Sequence, residues 1–277
     1  MASIKERVLR AIFDRPLKKG YMVGGYRISH VLGMGSYGMT YAAHHKWTGK
    51  VCAVKQLRPT KAKTTAGLRS FHREAELMQL ASGVSFPRLY EVIEQDGYHF
   101  LIMEFVNGRT FEDLIFEDRR TFSEKETIAV LLELCSIVAS LHEQGIYHRD
   151  LRIPNILDVN GVLRVIDFGL ACYHDDPPEE PDWRYPEKQV MRAVSPTADL
   201  YHLGHFSLFL LYSQYKPAEK KERSWEEELN ISEELKHILR KMLQIERPFQ
   251  SIKQLQTSLQ HLTYKENSAD FMPYSQS

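Results

Sequence analysis

Cysteine is scarce in this chain. Three residues, Cys52, Cys135 and Cys172, stand among 277, in no spacing that suits a disulfide framework or a metal site. Secreted scaffolds held by paired cysteines are thereby excluded, and the odd count fits a reducing compartment, for which the cytoplasm is the expectation. A surplus of charge of either sign is missing too, since Lys plus Arg and Asp plus Glu stand at 36 each. No overall field draws the chain to nucleic acid or to an anionic membrane, so no nucleic-acid partner is expected and any charged patch must be local. Long hydrophobic runs are absent. The most apolar stretch, Phe206 to Tyr212, falls far short of the ~20 residues that cross a bilayer, so no transmembrane segment is expected. Charges interrupt Ile4 to Phe13, which does not resemble a cleaved signal. What remains is a chain with 43% hydrophobic residues, long enough for one large domain or two lobes.

Periodicity divides the chain in two. Tyr26 to Leu32, Met39 to His45, Val51 to Leu57, Leu89 to Ile93 and His99 to Met103 are β-rich. One helix interrupts them over Leu68 to Leu80, with Gly83 as its stop. After Asn107-Gly108 the pattern turns helical: Ser123 caps a long helix to about Glu143, and Ala198 to Tyr212, Glu233 to Leu243 and Ser251 to Leu262 follow. The expected organisation is an extension over 1–24 with a short amphipathic helix (Ile4, Val8, Ala11, Ile12), a β-rich lobe over 25–106, a helical lobe over 107–264 and a disordered tail over 265–277.

The chemistry concentrates in His148-Arg149-Asp150-Leu151, Asn155 and Asp167-Phe168-Gly169. Asp150 can accept a hydroxyl proton, and Asn155 and Asp167 offer two oxygen ligands to a hard cation such as Mg2+, with Mn2+ as a substitute. Between them, Ile156-Leu157 and Val162 to Ile166 flank Asn160-Gly161, a hairpin signal that would return Asp167 to Asn155. Upstream, Gly33-Met34-Gly35-Ser36-Tyr37-Gly38 lies between two strands, so it differs from the dinucleotide fingerprint, which leads into a helix. Lys55, on the next strand with Ala53, would point beneath that loop. A buried cation needs a partner; Glu74 on the helix is the better placed carboxylate, and Glu76 lies about 200° away around the axis. His202 and His205, three apart on a helix, read as core rather than as metal ligands.

With these motifs in order, residues 25 to 263 resemble the eukaryotic-like (Hanks-type) protein kinases, most of all the bacterial serine/threonine kinases. The resemblance implies an α+β, bilobal protein-kinase fold, with a small β-rich N-lobe carrying one helix and a larger, mostly helical C-lobe. It implies ATP- and Mg2+-dependent transfer of the γ-phosphoryl group to a protein hydroxyl, with Asp150 as base, Lys55 and Arg152 as phosphate cations, and Glu74 positioning Lys55. Nucleotide contacts would come from Gly33, Gly35, Ser36, Gly38, Ala53, Lys55, Met103 as gatekeeper, Glu104, Val106 and Leu157, and metal ligands would be Asn155 and Asp167. Met78, Val92, His148 and Phe168 would form a spine. Asp199 would hold the catalytic loop by its backbone. Tyr185-Pro186-Glu187 takes the place of Ala-Pro-Glu, with Arg247 at the position of the arginine that pairs with that glutamate.

Two departures stand out. Arg152 replaces the usual lysine two residues after the catalytic aspartate, a choice that some tyrosine kinases make, so the acceptor hydroxyl is open between Ser/Thr and Tyr. Leu170 to Pro186 contains no serine or threonine, so none can be phosphorylated there. It carries Asp175, Asp176, Glu179, Glu180 and Asp182 instead. One of them could neutralise Arg149 without modification, and an acidic surface would favour a basic protein substrate. Two other classes remain open on sequence: a kinase-fold phosphotransferase for small molecules, and a nucleotide-binding scaffold with negligible turnover.

Overall fold

The computed structural model describes residues 14–81, 83–178, 185–216 and 223–269. The extension's amphipathic stripe, and Glu179, Glu180 and Asp182 of the acidic run, lie outside them. The chain divides into two compact units, Met1–Asn107 and Gly108–Ser277.

The first unit is a six-stranded antiparallel sheet in the order β1-β2-β3-β4-β6-β5. Its strands are β1 (Met22–Val23), β2 (Tyr26–Met34), β3 (Gly38–His45), β4 (Val51–Leu57), β5 (Leu89–Gln95) and β6 (Tyr98–Glu104). Between β4 and β5 lie α1 (Pro59–Ala62) and α2 (Thr65–Leu80). Strand alternation sorts the side chains. Ile28, Met39, Tyr41, Ala43, Cys52, Val54, Phe100 and Ile102 share one buried cluster, where each large apolar side chain contributes about 1.5–3 kcal/mol by leaving water. Ala53 and Lys55 alternate onto the other face. Helix α2 begins three residues before the apolar pattern does, because the Thr64 hydroxyl accepts the Gly67 N–H at 3.0 Å and caps it there.

The second unit is mostly helical. Its strands are short: β7 (Arg109–Thr110), β8 (Ile146–Tyr147), β9 (Ile156–Val159), β10 (Val162–Val165) and β11 (Cys172–Tyr173). They form one three-stranded sheet, β10-β9-β7, and one pair, β11-β8. Helices α3 (Phe111–Phe116), α4 (Glu124–Glu143), α5 (Pro186–Met191), α6 (Pro196–Tyr212), α7 (Trp225–Glu228), α8 (Glu233–Met242) and α9 (Ile252–Ala269) complete it. Ser123 and Glu126 form a capping box that starts α4. Leu131, Leu134, Cys135, Val138 and Leu141 of α4 are fully buried. Phe111 packs edge-on against Phe206 at 5.0 Å, which anchors α3 to α6. Helix α9 runs through Ala269, five residues into the segment expected to be disordered, and residues 270–277 lie outside the description. No helix among the described residues is long and apolar enough to cross a membrane.

Candidate active site

In the first unit, Gly38 and Lys55 explain each other. Gly38 pairs with Leu57 across β3 and β4, and a Cβ on it would lie 2.8 Å from the Gln56 carbonyl and 3.4 Å from Lys55 Cε. Glycine is needed there for close approach between strands, whereas a Cβ on Gly33 would meet nothing and one on Gly35 only the Gly38 carbonyl at 3.8 Å. Gly38→Ala should therefore cost about 1–3 kcal/mol through local overpacking. Thermal melting measures this, and an unchanged midpoint would contradict it.

Lys55 reaches Glu74 on α2 at 2.5 Å, with side chains only 13% and 8% exposed. Glu76, two residues on, is exposed. At the end of β6 the Glu104 N–H donates to the Arg88 carbonyl at 2.8 Å, so what Glu104 can offer a bound base is its carbonyl. Met78 is buried, but Val92 is 45% exposed on β5, which departs from the spine expectation. The register shift between Leu89 and Glu91 displaces the alternation before Val92.

In the second unit the loop expected to be catalytic, His148 to Asn155, is fixed from beneath. Asp199 on α6 is fully buried, and its carboxylate accepts the His148 N–H at 3.0 Å, the Arg149 N–H at 2.6 Å and His142 Nε2 at 2.9 Å. Burial pushes the Asp199 carboxyl up, but these hydrogen bonds and the neighbouring histidines outweigh it and hold it below the usual carboxylate range. The same bonds hold Arg149 at φ +59°, a left-handed conformation that a non-glycine residue keeps only when its surroundings impose it. The Arg149 side chain donates to the carbonyls of Leu170 at 2.8 Å and Arg192 at 2.6 Å. His148 is buried against Phe168, ring centres 5.1 Å apart. Burial lowers its pKa, so the ring is neutral at pH 7.

Asp150 sits above this support, nearly buried. Arg152 holds it as a fork, Nε to Oδ1 at 2.6 Å and a terminal nitrogen to Oδ2 at 3.2 Å. Asn155 Nδ2 donates to the Asp150 carbonyl at 2.9 Å and to Asp150 Oδ2 at 2.8 Å. Both amide hydrogens of Asn155 are thus directed at Asp150, which fixes the amide orientation and turns Oδ1 outward as an acceptor. Strands β9 and β10 pair with Val162 opposite Val159, and the intervening Asn160 and Gly161 have φ of +55° and +85°, the signature of a tight type I′ turn. The hairpin ends with the Ile166 N–H on the Asn155 carbonyl at 2.9 Å, so Asp167 follows directly beside Asn155. Asp167 adopts φ +66° and accepts the Gly169 N–H at 3.0 Å. An amide oxygen and a carboxylate make a hard-oxygen donor pair that suits Mg2+, a cation that keeps its remaining positions for water and phosphate.

Of the acidic run, Asp175 and Asp176 lie among the described residues. Asp176 accepts the Tyr173 N–H at 2.9 Å and closes a turn. Glu187 and Arg247, placed by resemblance as a pair, are both exposed and make no ion pair among the described residues; a pair at such exposure contributes ~0–1 kcal/mol, too little to hold two long side chains together. His202 lies in the core with Nε2 3.3 Å from the Met191 carbonyl, and His205 packs on Tyr201. His142, which completes the Asp199 network, carried no sequence signal, because its partner is 57 residues away.

Comparison with known proteins accords with this geometry. The model of the protein kinase domain matches residues 26–265. The chain is 35% identical over 242 residues to a probable serine/threonine-protein kinase, YbdM, of Bacillus subtilis, covering 87% of this chain and 91% of that one. It is also 35% identical over 147 residues to the human NUAK family SNF1-like kinase 1, covering 53% of this chain and 22% of that protein. Among solved structures, the kinase domain of Mycobacterium tuberculosis PknI superposes with a TM-score of 0.67, covering 89% of this chain and 99% of that one at 21% identity, a likeness of fold.

Proposed function

Since the chain belongs to the protein kinase family, we propose that it transfers the γ-phosphoryl group of ATP to a serine or threonine hydroxyl of a protein, with Mg2+ as cofactor. The observation that carries this reading is the intact Lys55–Glu74 pair at 2.5 Å. In phosphoryl transfer of this kind the protein supplies position and charge, and a lysine held by a carboxylate is positioned before its phosphate arrives.

Each side chain then has a task. Gly33, Gly35, Ser36 and Gly38 present backbone to the phosphates, and Lys55 neutralises them. Ala53, Met103, Leu157 and the backbone of Glu104 and Val106 hold the adenine. Asn155 and Asp167 hold the metal, which when bound neutralises phosphate charge. Asp150 orients the acceptor hydroxyl and takes its proton. For this Arg152 must release at least one carboxylate oxygen, and the phosphoryl group is the natural alternative partner for its fork. The chain works in the cytoplasm on substrates with basic residues near the acceptor, a reading supported by the acidic composition of Asp175 to Asp182 in the sequence.

Incubation with ATP and Mg2+, read by intact mass on the protein and on a basic protein acceptor, tests this. Added phosphate on Ser or Thr is expected with the wild type, and none with Asp150→Asn. ADP release that requires small metabolites, or nucleotide binding without turnover, would overturn it. Glu74→Gln should lower kcat/KM for ATP about a hundredfold, since Lys55 loses the carboxylate that fixes it. Steady-state kinetics decides, and a loss under threefold would remove Glu74 from the mechanism.

A further inference from the structure

We propose that Asp14 and Arg58 form a positioning device for the glycine-rich loop, setting the direction in which its tip presents backbone N–H groups to phosphate. This rests on the reading of Gly33 to Gly38 as a phosphate cradle.

Arg58 follows β4 directly and grips the loop from outside. Its Nε donates to the Gly35 carbonyl at 2.7 Å, and its own backbone N–H donates to the Tyr37 carbonyl at 3.0 Å. Two carbonyls of the tip are therefore held by one residue. The peptide between Gly35 and Ser36 is trans and planar, so its N–H points opposite to its carbonyl. Turning the Gly35 carbonyl toward Arg58 turns the Ser36 N–H away from it. The guanidinium decides which face of the tip carries a donor.

Asp14 keeps the guanidinium in that position. Its side chain is fully buried, 3.4 Å from the Arg58 terminal nitrogen, and it also accepts the Thr60 N–H at 3.0 Å and the Thr60 hydroxyl at 2.8 Å. A buried carboxylate is retained only with such partners. The segment carrying Asp14 is itself fastened to the sheet, where the Leu17 N–H donates to the Tyr41 hydroxyl at 3.1 Å and that hydroxyl donates to Gln56 at 2.8 Å. The chain before β1 is thereby coupled to the loop through one arginine. None of these residues belongs to the motif set of the catalytic centre.

Calorimetric titration of the full chain with adenosine and with a non-hydrolysable ATP analogue plus Mg2+ separates this role from general stability. The wild type should prefer the triphosphate. Arg58→Met should weaken the triphosphate about tenfold, the scale of one lost charge-assisted hydrogen bond, and leave adenosine within about twofold. Asp14→Asn and Arg58→Lys should fall between, and they carry the test if Arg58→Met does not fold. A preserved wild-type preference in folded variants would overturn the device alone. Equal affinity of the wild type for both ligands would overturn the phosphate cradle, and the device with it.

Discussion

Asp150→Asn should lower kcat about a thousandfold, within the range of ~10²–10⁴ typical for loss of a positioned general base, and leave the affinity for nucleotide within about threefold. The substitution is nearly isosteric, and the surroundings explain why the two readouts separate. Asp150 receives three side-chain hydrogen bonds, two from Arg152 and one from Asn155. An asparagine carbonyl can accept from Arg152, but its NH2 would confront the donors of Asn155 or Arg152, so the local network loosens while the Lys55–Glu74 pair is untouched. Single-turnover kinetics with a protein acceptor gives the first quantity and titration with an ATP analogue the second. Residual turnover within tenfold of wild type would show that Asp150 orients rather than abstracts.

The second large effect concerns Asp199→Ala, expected to destabilise the second unit by about 3–5 kcal/mol. Three donors, His142 Nε2 and the N–H groups of His148 and Arg149, lose their acceptor where solvent does not reach, and each unsatisfied buried donor costs about 1–3 kcal/mol. At about 2–4 °C per kcal/mol for a chain of this size, the midpoint should fall about 10 °C. The pH dependence follows from the sign of the shift. The folded carboxyl lies below its ordinary value, although burial alone would raise it. Its contribution is therefore present above the unfolded value of about 3.9 and disappears as pH falls through the folded one. Wild-type and variant midpoints should differ at pH 7, and the gap should narrow as acid takes the pH below the unfolded value and through the lower folded one. A constant gap across that range would assign the loss to packing instead of charge. The variant should also lose turnover, because the two bonds that tie the His148 and Arg149 backbone to α6 are gone.

Much of this was legible in the sequence, for identifiable reasons. Long strands with period two and helices with a clear apolar stripe, such as β4 and α4, announce themselves because one face of each must be buried. The Asn160-Gly161 turn was readable because few other pairs adopt two left-handed residues in succession. Asp96-Gly97, with φ of +53° and +75°, is the same device, and β5 and β6 extend right up to it, beyond the bounds expected from their apolar pattern. Elements of two residues, like β8 and β11, give no periodicity. Helix α3 is too short for a stripe, and its only sign is the Thr110–Asp113 capping box. In the candidate site, Lys55, Glu74, Asp150, Asn155 and Asp167 are legible from spacing along the chain. His142, Asp14 and Arg58 were not, because each acts on a residue more than twenty positions away, and nothing local marks such a partnership.

The burial of the three cysteines makes the unmodified chain a practical reporter background. Each is at most 2% exposed. Burial raises the Cys52 thiol to about 11 and the Cys135 thiol to about 12, so at neutral pH the reactive thiolate of either amounts to well under one molecule in a thousand. Maleimides and similar reagents should leave the folded protein essentially unlabelled. A single cysteine introduced by Ser36→Cys would then carry a fluorophore alone, and its emission would follow the glycine-rich loop in real time as nucleotide is added and withdrawn.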